Sequence, residues 1–319
     1  MILEIKSRLR LMPWGWQDSQ NRPLPKSPKE IFAMKFMPLL AATALLFITH
    51  TAEAKMVTKE IDYKDGATPL KGVLYYDDSV HRPLPGVLVV HEWWGLSENI
   101  KAKAEKLAAL GYVAFAADIY GKDKFANNPE EAEKLATPFY KDPGLMVSRA
   151  EAGLAVLKKQ PQVDATRLAA TGYCFGGSVV LQLARSGADV LGVVSFHGGL
   201  KTSEPAEPGR VKAQVLALDG GADKLVSPKE RANFKKEMAD AGVTFKVVEY
   251  PGALHAFTNP KATEIGKRFN MPIAYDADAD QKSWDEMRGF LKRIFTAKPV
   301  ETAPAAAEQP AAPTTAPAQ

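Results

Sequence analysis

The chain contains a single cysteine, Cys174, set in Gly172-Tyr173-Cys174-Phe175-Gly176-Gly177. A lone thiol is either a small buried hydrophobe or a reactive group. Its neighbours favour the second. A nucleophile flanked at two residues on each side by glycine, between a β-rich run and a helical one, has the pattern of a nucleophile elbow with cysteine in the serine place. Glycines are required because the turn leaves no room for side chains beside the nucleophile. Such a turn exposes the sulfur, and the N-terminus of the helix that follows favours the thiolate. The backbone N–H of Phe175 would then point at a developing oxyanion.

A nucleophile of this kind needs an acid and a histidine after it in the chain. The sequence has five histidines: His50, His81, His91, His197 and His255. His50 lies in an N-terminal apolar segment and His81 in a polar, Pro-rich turn. His91 precedes the nucleophile and is expected to shape the site or to pack. His197 follows too closely to leave room for an acid-bearing strand. His255, in Pro251-Gly252-Ala253-Leu254-His255-Ala256-Phe257, is left as the base. Asp219 and Asp223 both follow the intervening strand. Asp219 stands at the strand end and serves equally as a turn cap, whereas Asp223 lies further out, better placed to reach a histidine; Asp223 is the preferred acid. A third segment, His91-Glu92-Trp93-Trp94-Gly95, follows the first continuous apolar run. The Trp93 N–H is the candidate second oxyanion donor. Glu92 either interacts with the thiol or pairs with a surface cation.

The elements that must hold these residues alternate in type. Residues 57–64 and 70–76 are β-rich, 86–91 form an apolar run suited to a strand buried on both faces, and 99–110 have helical spacing closed by Gly111. Strands are expected at 112–117, 167–173, 190–196, 214–218 and 244–250. Helices are expected around 129–136, 144–159, 177–186, 229–241 and 278–295. This alternation predicts an α/β fold, a mostly parallel central sheet covered by helices on both faces, with chemistry at the carboxyl ends of the strands.

Composition sets the remaining bounds. Of 319 residues, 46% are hydrophobic and 24% charged, enough for one globular domain. The net charge of +4 is spread along the chain, so no nucleic-acid partner is expected. One cysteine excludes a disulfide framework and a cysteine-cluster metal site; no metal or cofactor is expected. Residues 1–33 have no apolar period and read as a leader or a mis-assigned start. From Met34, a lysine, a short apolar run and Ala52-Glu53-Ala54 make a signal peptide, with cleavage after Ala54 and an exported, periplasmic or secreted, product. The run is shorter than the about 20 residues a membrane span needs, so no stable membrane insertion is expected. A single α/β domain is placed at 55–296, and residues 297–319, rich in Ala and Pro, are expected to be a disordered tail. A monomer is expected.

The chain resembles the dienelactone hydrolase family from about residue 57 to 295. The resemblance is carried by His91-Glu92 with the aromatic-Gly that follows, Ala117-Asp118-Ile119-Tyr120, the elbow, Gly221-Ala222-Asp223, and the segment 251–257. It implies an α/β-hydrolase fold, carboxymethylenebutenolidase-like cleavage of esters or lactones by a Cys174, Asp223, His255 triad, and abstraction of the thiol proton by Glu92 when substrate enters. Trp94, Tyr120, Lys122 and Phe257 are the candidate substrate contacts. Family members that open dienelactones are expected to hold the substrate carboxylate with two arginines. Those places here read Gly121-Lys122 and Thr258-Asn259, and Lys122 offers only a point charge without a bidentate fork. A neutral or larger ester therefore fits as well as dienelactone, and Trp93 and Trp94 suit an apolar acyl or ring group. The alternatives from other classes are an exported non-catalytic binding protein on the same fold and a thiol redox sensor, the latter lacking a resolving cysteine.

Overall fold

The computed structural model describes residues 55–297. The segments expected to be a leader (1–33) and a signal peptide (34–54), and residues 298–319 of the expected tail, lie outside the described residues.

Among the described residues eight strands form one sheet: β1 (Met56–Asp65), β2 (Thr68–Asp77), β3 (Leu84–Val90), β4 (Val113–Ala117), β5 (Val163–Tyr173), β6 (Gly192–Phe196), β7 (Gln214–Gly220) and β8 (Phe245–Tyr250). Their spatial order is β1-β2-β4-β3-β5-β6-β7-β8. The first two pairings, β1 with β2 and β2 with β4, are antiparallel, and every pairing from β4 to β8 is parallel. Parallel strands need crossovers, and the described residues form seven helices: α1 (Glu98–Ala109), α2 (Pro129–Lys141), α3 (Pro143–Lys158), α4 (Phe175–Arg185), α5 (Pro228–Asp240), α6 (Ala262–Phe269) and α7 (Ala277–Thr296).

The strand sequences explain the layering. All seven residues of β3 are buried. Leu88 and Val90 face one apolar layer with Phe139, Leu154, Val179 and Phe234 from α2, α3, α4 and α5. Val87 and Val89 face the opposite layer, with Leu107 of α1 and Leu291 of α7. A strand sandwiched in this way must be apolar at every position, which is why its run is continuous rather than alternating. β1, at the sheet edge, alternates instead between exposed and half-buried positions. Among the described residues no helix is long and apolar enough to cross a membrane.

The expected elements are all present, with ends displaced by a few residues. One was not anticipated: α6, eight residues long, closed by Asn270 in the left-handed conformation. It is too short for a clear apolar period, and it follows the Asn259-Pro260 pair, which reads as loop.

Candidate active site

The elbow is built as its glycines require. Cys174 sits between β5 and α4 with φ 53°, a left-handed conformation costly for a residue bearing a Cβ. Its N–H donates to the Phe196 carbonyl at 2.9 Å, which fastens the bend to β6. A Cβ on Gly172 would lie 1.9 Å from the Gly176 carbonyl oxygen, and one on Gly176 would lie 2.4 Å from the Val90 oxygen. Backbone on both sides blocks any larger residue, so the strained sulfur is held at the carboxyl edge of the sheet. Phe175 opens α4, so its N–H has no intrahelical carbonyl and remains free for a ligand.

The loops after β7 and β8 are fastened to each other. Gly221 N–H donates to the Tyr250 carbonyl at 2.7 Å, and Ala222 N–H to the Ala253 carbonyl at 3.0 Å. Gly220 is packed so closely that a Cβ would meet the Ala253 oxygen at 2.4 Å. This contact brings Asp223 to His255. Asp223 Oδ2 lies 2.8 Å from His255 Nδ1, and Asp223 Oδ1 accepts the Leu225 N–H at 2.7 Å. His255 Nε2 lies 3.1 Å from Cys174 Sγ. Burial disfavours the charged imidazole, but the negative charge of the sulfur, the hydrogen bonds to Asp223 and Cys174, and the Asp223 charge outweigh it. Together they push the His255 pKa up to about 10. A proton on the His255 ring is therefore favoured while the neighbouring sulfur is anionic.

The other wall is organised around His91. The Ile119 N–H donates to His91 Nε2 at 3.1 Å, so Nε2 must accept. The proton then resides on Nδ1 and is donated to the Glu92 carbonyl at 2.6 Å. Tyr120 is buried, and its hydroxyl donates to the Trp93 carbonyl at 3.0 Å. These two bonds hold the loop that carries Glu92 and Trp93.

Glu92 lies in the cavity wall but is held away from the sulfur in this structure. Its carboxylate makes no hydrogen bond to the sulfur. It accepts instead from Asn259 Nδ2 at 2.9 and 3.2 Å and from Asn99 Nδ2 at 3.2 Å. Burial raises its pKa above the usual carboxylate range, opposed by the two amides. No cation pairs with it among the described residues. Three candidate substrate contacts, Lys122, Phe257 and Tyr120, lie outside the cavity lining. Lys122 pairs with Asp62 of β1 at 3.0 Å and does not line the cavity. Phe257 is fully buried, packed edge-on against His197. Tyr120 supports the Trp93 loop from behind. Trp94, by contrast, does line the cavity.

That cavity, about 590 Å³, contains Cys174, His255 and Glu92 in its wall. Its apolar lining comes from Trp93, Trp94, Leu225, Val226, Met271 and Ile273; Tyr140 of α2 also borders it, and Lys201, Thr202 and Ser203 supply a polar side. The sequence offered no sign of Tyr140, Met271 or Ile273, because each comes from a segment with no motif. Asn259 was legible only as the place of a missing arginine. Asp219, the alternative acid, is fully buried and neither of its carboxylate oxygens has a partner.

The parallel sheet, the strained elbow and an acid–histidine pair delivered from the last two strands define an α/β-hydrolase. Within that class, the family model of the dienelactone hydrolase family matches residues 70–295, and the chain belongs to that family. It is 30% identical over 216 residues to protein usf of Aquifex pyrophilus, covering 66% of this chain and 89% of that protein. Among solved structures, a dienelactone hydrolase-like promiscuous phosphotriesterase from metagenomic libraries is 34% identical, with a TM-score of 0.71 over 76% of this chain and all of that one. The structure named m3DLH is 36% identical with the same TM-score, over 76% of this chain and 99% of its own.

Proposed function

We propose that the protein hydrolyses carboxylic esters or lactones through a thioester intermediate, with Cys174 as nucleophile, His255 as base and Asp223 as the group that orients the imidazole. The observation that carries this reading is the line from Asp223 Oδ2 through His255 to Cys174 Sγ, with contacts of 2.8 and 3.1 Å, opening on a cavity. His255 Nε2 takes the thiol proton as Sγ attacks the carbonyl carbon. The Phe175 and Trp93 N–H groups receive the oxyanion. Its collapse expels the alcohol, which leaves with the proton from Nε2. A water then gives its proton to Nε2 and attacks the thioester, releasing the acid and restoring the thiol. Acid–base transfer of this kind contributes roughly 10²–10⁴-fold, and each oxyanion donor roughly 10²–10³-fold.

The apolar part of the wall favours a substrate with an apolar acyl or ring group, with Lys201 on the polar side. Lys122 is engaged elsewhere and Asn259 is engaged by Glu92, so neither place expected to hold a carboxylate clamp supplies a free cation. Cys174→Ala should lower p-nitrophenyl ester turnover by more than roughly 10³-fold, with an unchanged melting temperature. Turnover within tenfold of the parent would rule the mechanism out. In the parent, loss of turnover should match modification of one thiol by a cysteine-specific reagent. A binding protein would have no turnover to lose.

A further inference from the structure

His197 takes no part in the steps above, yet its placement is unusual. It follows β6 with φ 40°, a left-handed conformation that a non-glycine residue adopts at a cost. Its N–H is tied to the Leu218 carbonyl at 2.8 Å, and its side chain is fully buried. A polar ring in a strained and dry position invites a reason beyond packing.

The ring lies edge-on to His255, with centroids 5.2 Å apart and planes at 64°. Its Nε2 lies 2.8 Å from the hydroxyl of Thr258, three residues after His255 in the same loop. Its Nδ1 has no partner. An imidazolium has two N–H donors and needs two acceptors, but only the Thr258 oxygen is offered. The geometry therefore admits the neutral ring alone. The titratable groups around it point the same way: His255 beyond β8 and Lys103 of α1 both oppose a second positive charge, while Tyr173 of β5 is a neutral phenol. Burial, before either of those charges, holds the His197 pKa well below its ordinary value.

We propose that His197 is a positioning residue for His255: a neutral imidazole that, braced by Thr258, fixes the tilt of the His255 ring over the Cys174 sulfur without competing for its positive charge. A wall of aliphatic side chains would leave the Thr258 hydroxyl unpaired and the loop carrying His255 free to shift. A shift of even 1 Å at the base is expected to weaken proton transfer substantially. The inference rests on the reading of Cys174 and His255 as nucleophile and base.

The test uses a readout that needs no substrate. The alkylation rate of Cys174 by iodoacetamide, measured from pH 6 to 9, follows how well His255 supports the thiolate. His197→Phe keeps an aromatic edge but loses the bond to Thr258. It should lower the pH 6 rate roughly tenfold relative to the pH 9 rate, and lower kcat for a p-nitrophenyl ester to a similar extent with KM within twofold. Thr258→Val should reproduce both changes, and Thr258→Ser, which keeps the hydroxyl, should restore most of the loss. These two variants also serve if His197→Phe does not fold. An unchanged pH profile and unchanged kcat, with only the melting temperature lowered, would assign His197 to packing and overturn the proposal. Should Cys174→Ala retain full turnover, the hydrolytic reading falls, while the alkylation profile still decides the role of His197.

Discussion

Two buried carboxylates serve one site and are held in opposite ways: Glu92 lines the cavity, and Asp223 reaches it through His255. Asp223 meets an imidazole at 2.8 Å, and the charges of that pair, with the sulfur beyond it, stabilise one another. Glu92 meets only amides, which donate hydrogen bonds but carry no charge. The contrast shows that burial alone does not make a carboxylate reactive. In a dry site, the partner decides whether a carboxyl group is kept charged and directional or pushed towards its neutral form. Asp219 extends the comparison: four residues before Asp223 and equally buried, it has no partner at all.

Exchanging each carboxylate for its amide is the direct way to break this contrast. The largest effect is expected at Asp223. Asp223→Asn leaves a partner for Nδ1 but removes the negative charge and favours the wrong imidazole tautomer. It should cost roughly 10²–10⁴-fold in kcat while the protein stays folded, as followed by ester turnover and circular dichroism. At Glu92 the effect should be much smaller. Glu92→Gln keeps an acceptor for Asn99 and Asn259, and the sulfur already has His255 beside it. A loss of less than about tenfold at pH 7 is expected. A loss as large as that of Asp223→Asn would instead assign Glu92 a direct part in activating the thiol.

Asp219→Asn should alter activity least and the pH dependence of stability most. Burial, opposed by Arg231 and reinforced by Asp223, pushes the Asp219 pKa up to about 7. Below about pH 4 the carboxyl is protonated in both the folded and unfolded chains. Between about pH 4 and 7 the native protein retains a proton that the unfolded chain has lost, so its stability falls as pH rises through that window. The difference is on the order of a few kcal/mol. Urea unfolding at pH 5 and pH 8 should show this loss in the parent and not in Asp219→Asn, with turnover within twofold. Equal losses in both proteins would place the effect elsewhere.

Much of this arrangement was legible from residue type and spacing. The elbow announces itself because its geometry forbids side chains at Gly172 and Gly176, and that constraint is local. His255 and Asp223 follow from chain order, since successive parallel strands deliver their loops to the same edge. The roles of Lys122, Phe257 and Tyr120 were not legible. Tyr120 and Phe257 close two of the motifs and Lys122 lies two residues beyond one, but a motif gives the residue type and not the direction of its side chain, which a one-residue change in register turns from the cavity to the core or the opposite face. Lys122 points to Asp62, Phe257 into the layer under the sheet, and Tyr120 to the back of the Trp93 loop.

The sequence alone determined the class of chemistry, because the strained turn and the order of nucleophile, acid and histidine depend on short-range sterics and on parallel connectivity. Only the tertiary structure decided which partner each polar group obtained. Asn259 meets Glu92 across a separation of 167 residues and His197 meets Thr258 across 61. Contacts between such distant residues arise when the loops after different strands close over one edge, and in that dry space the partner sets the charge.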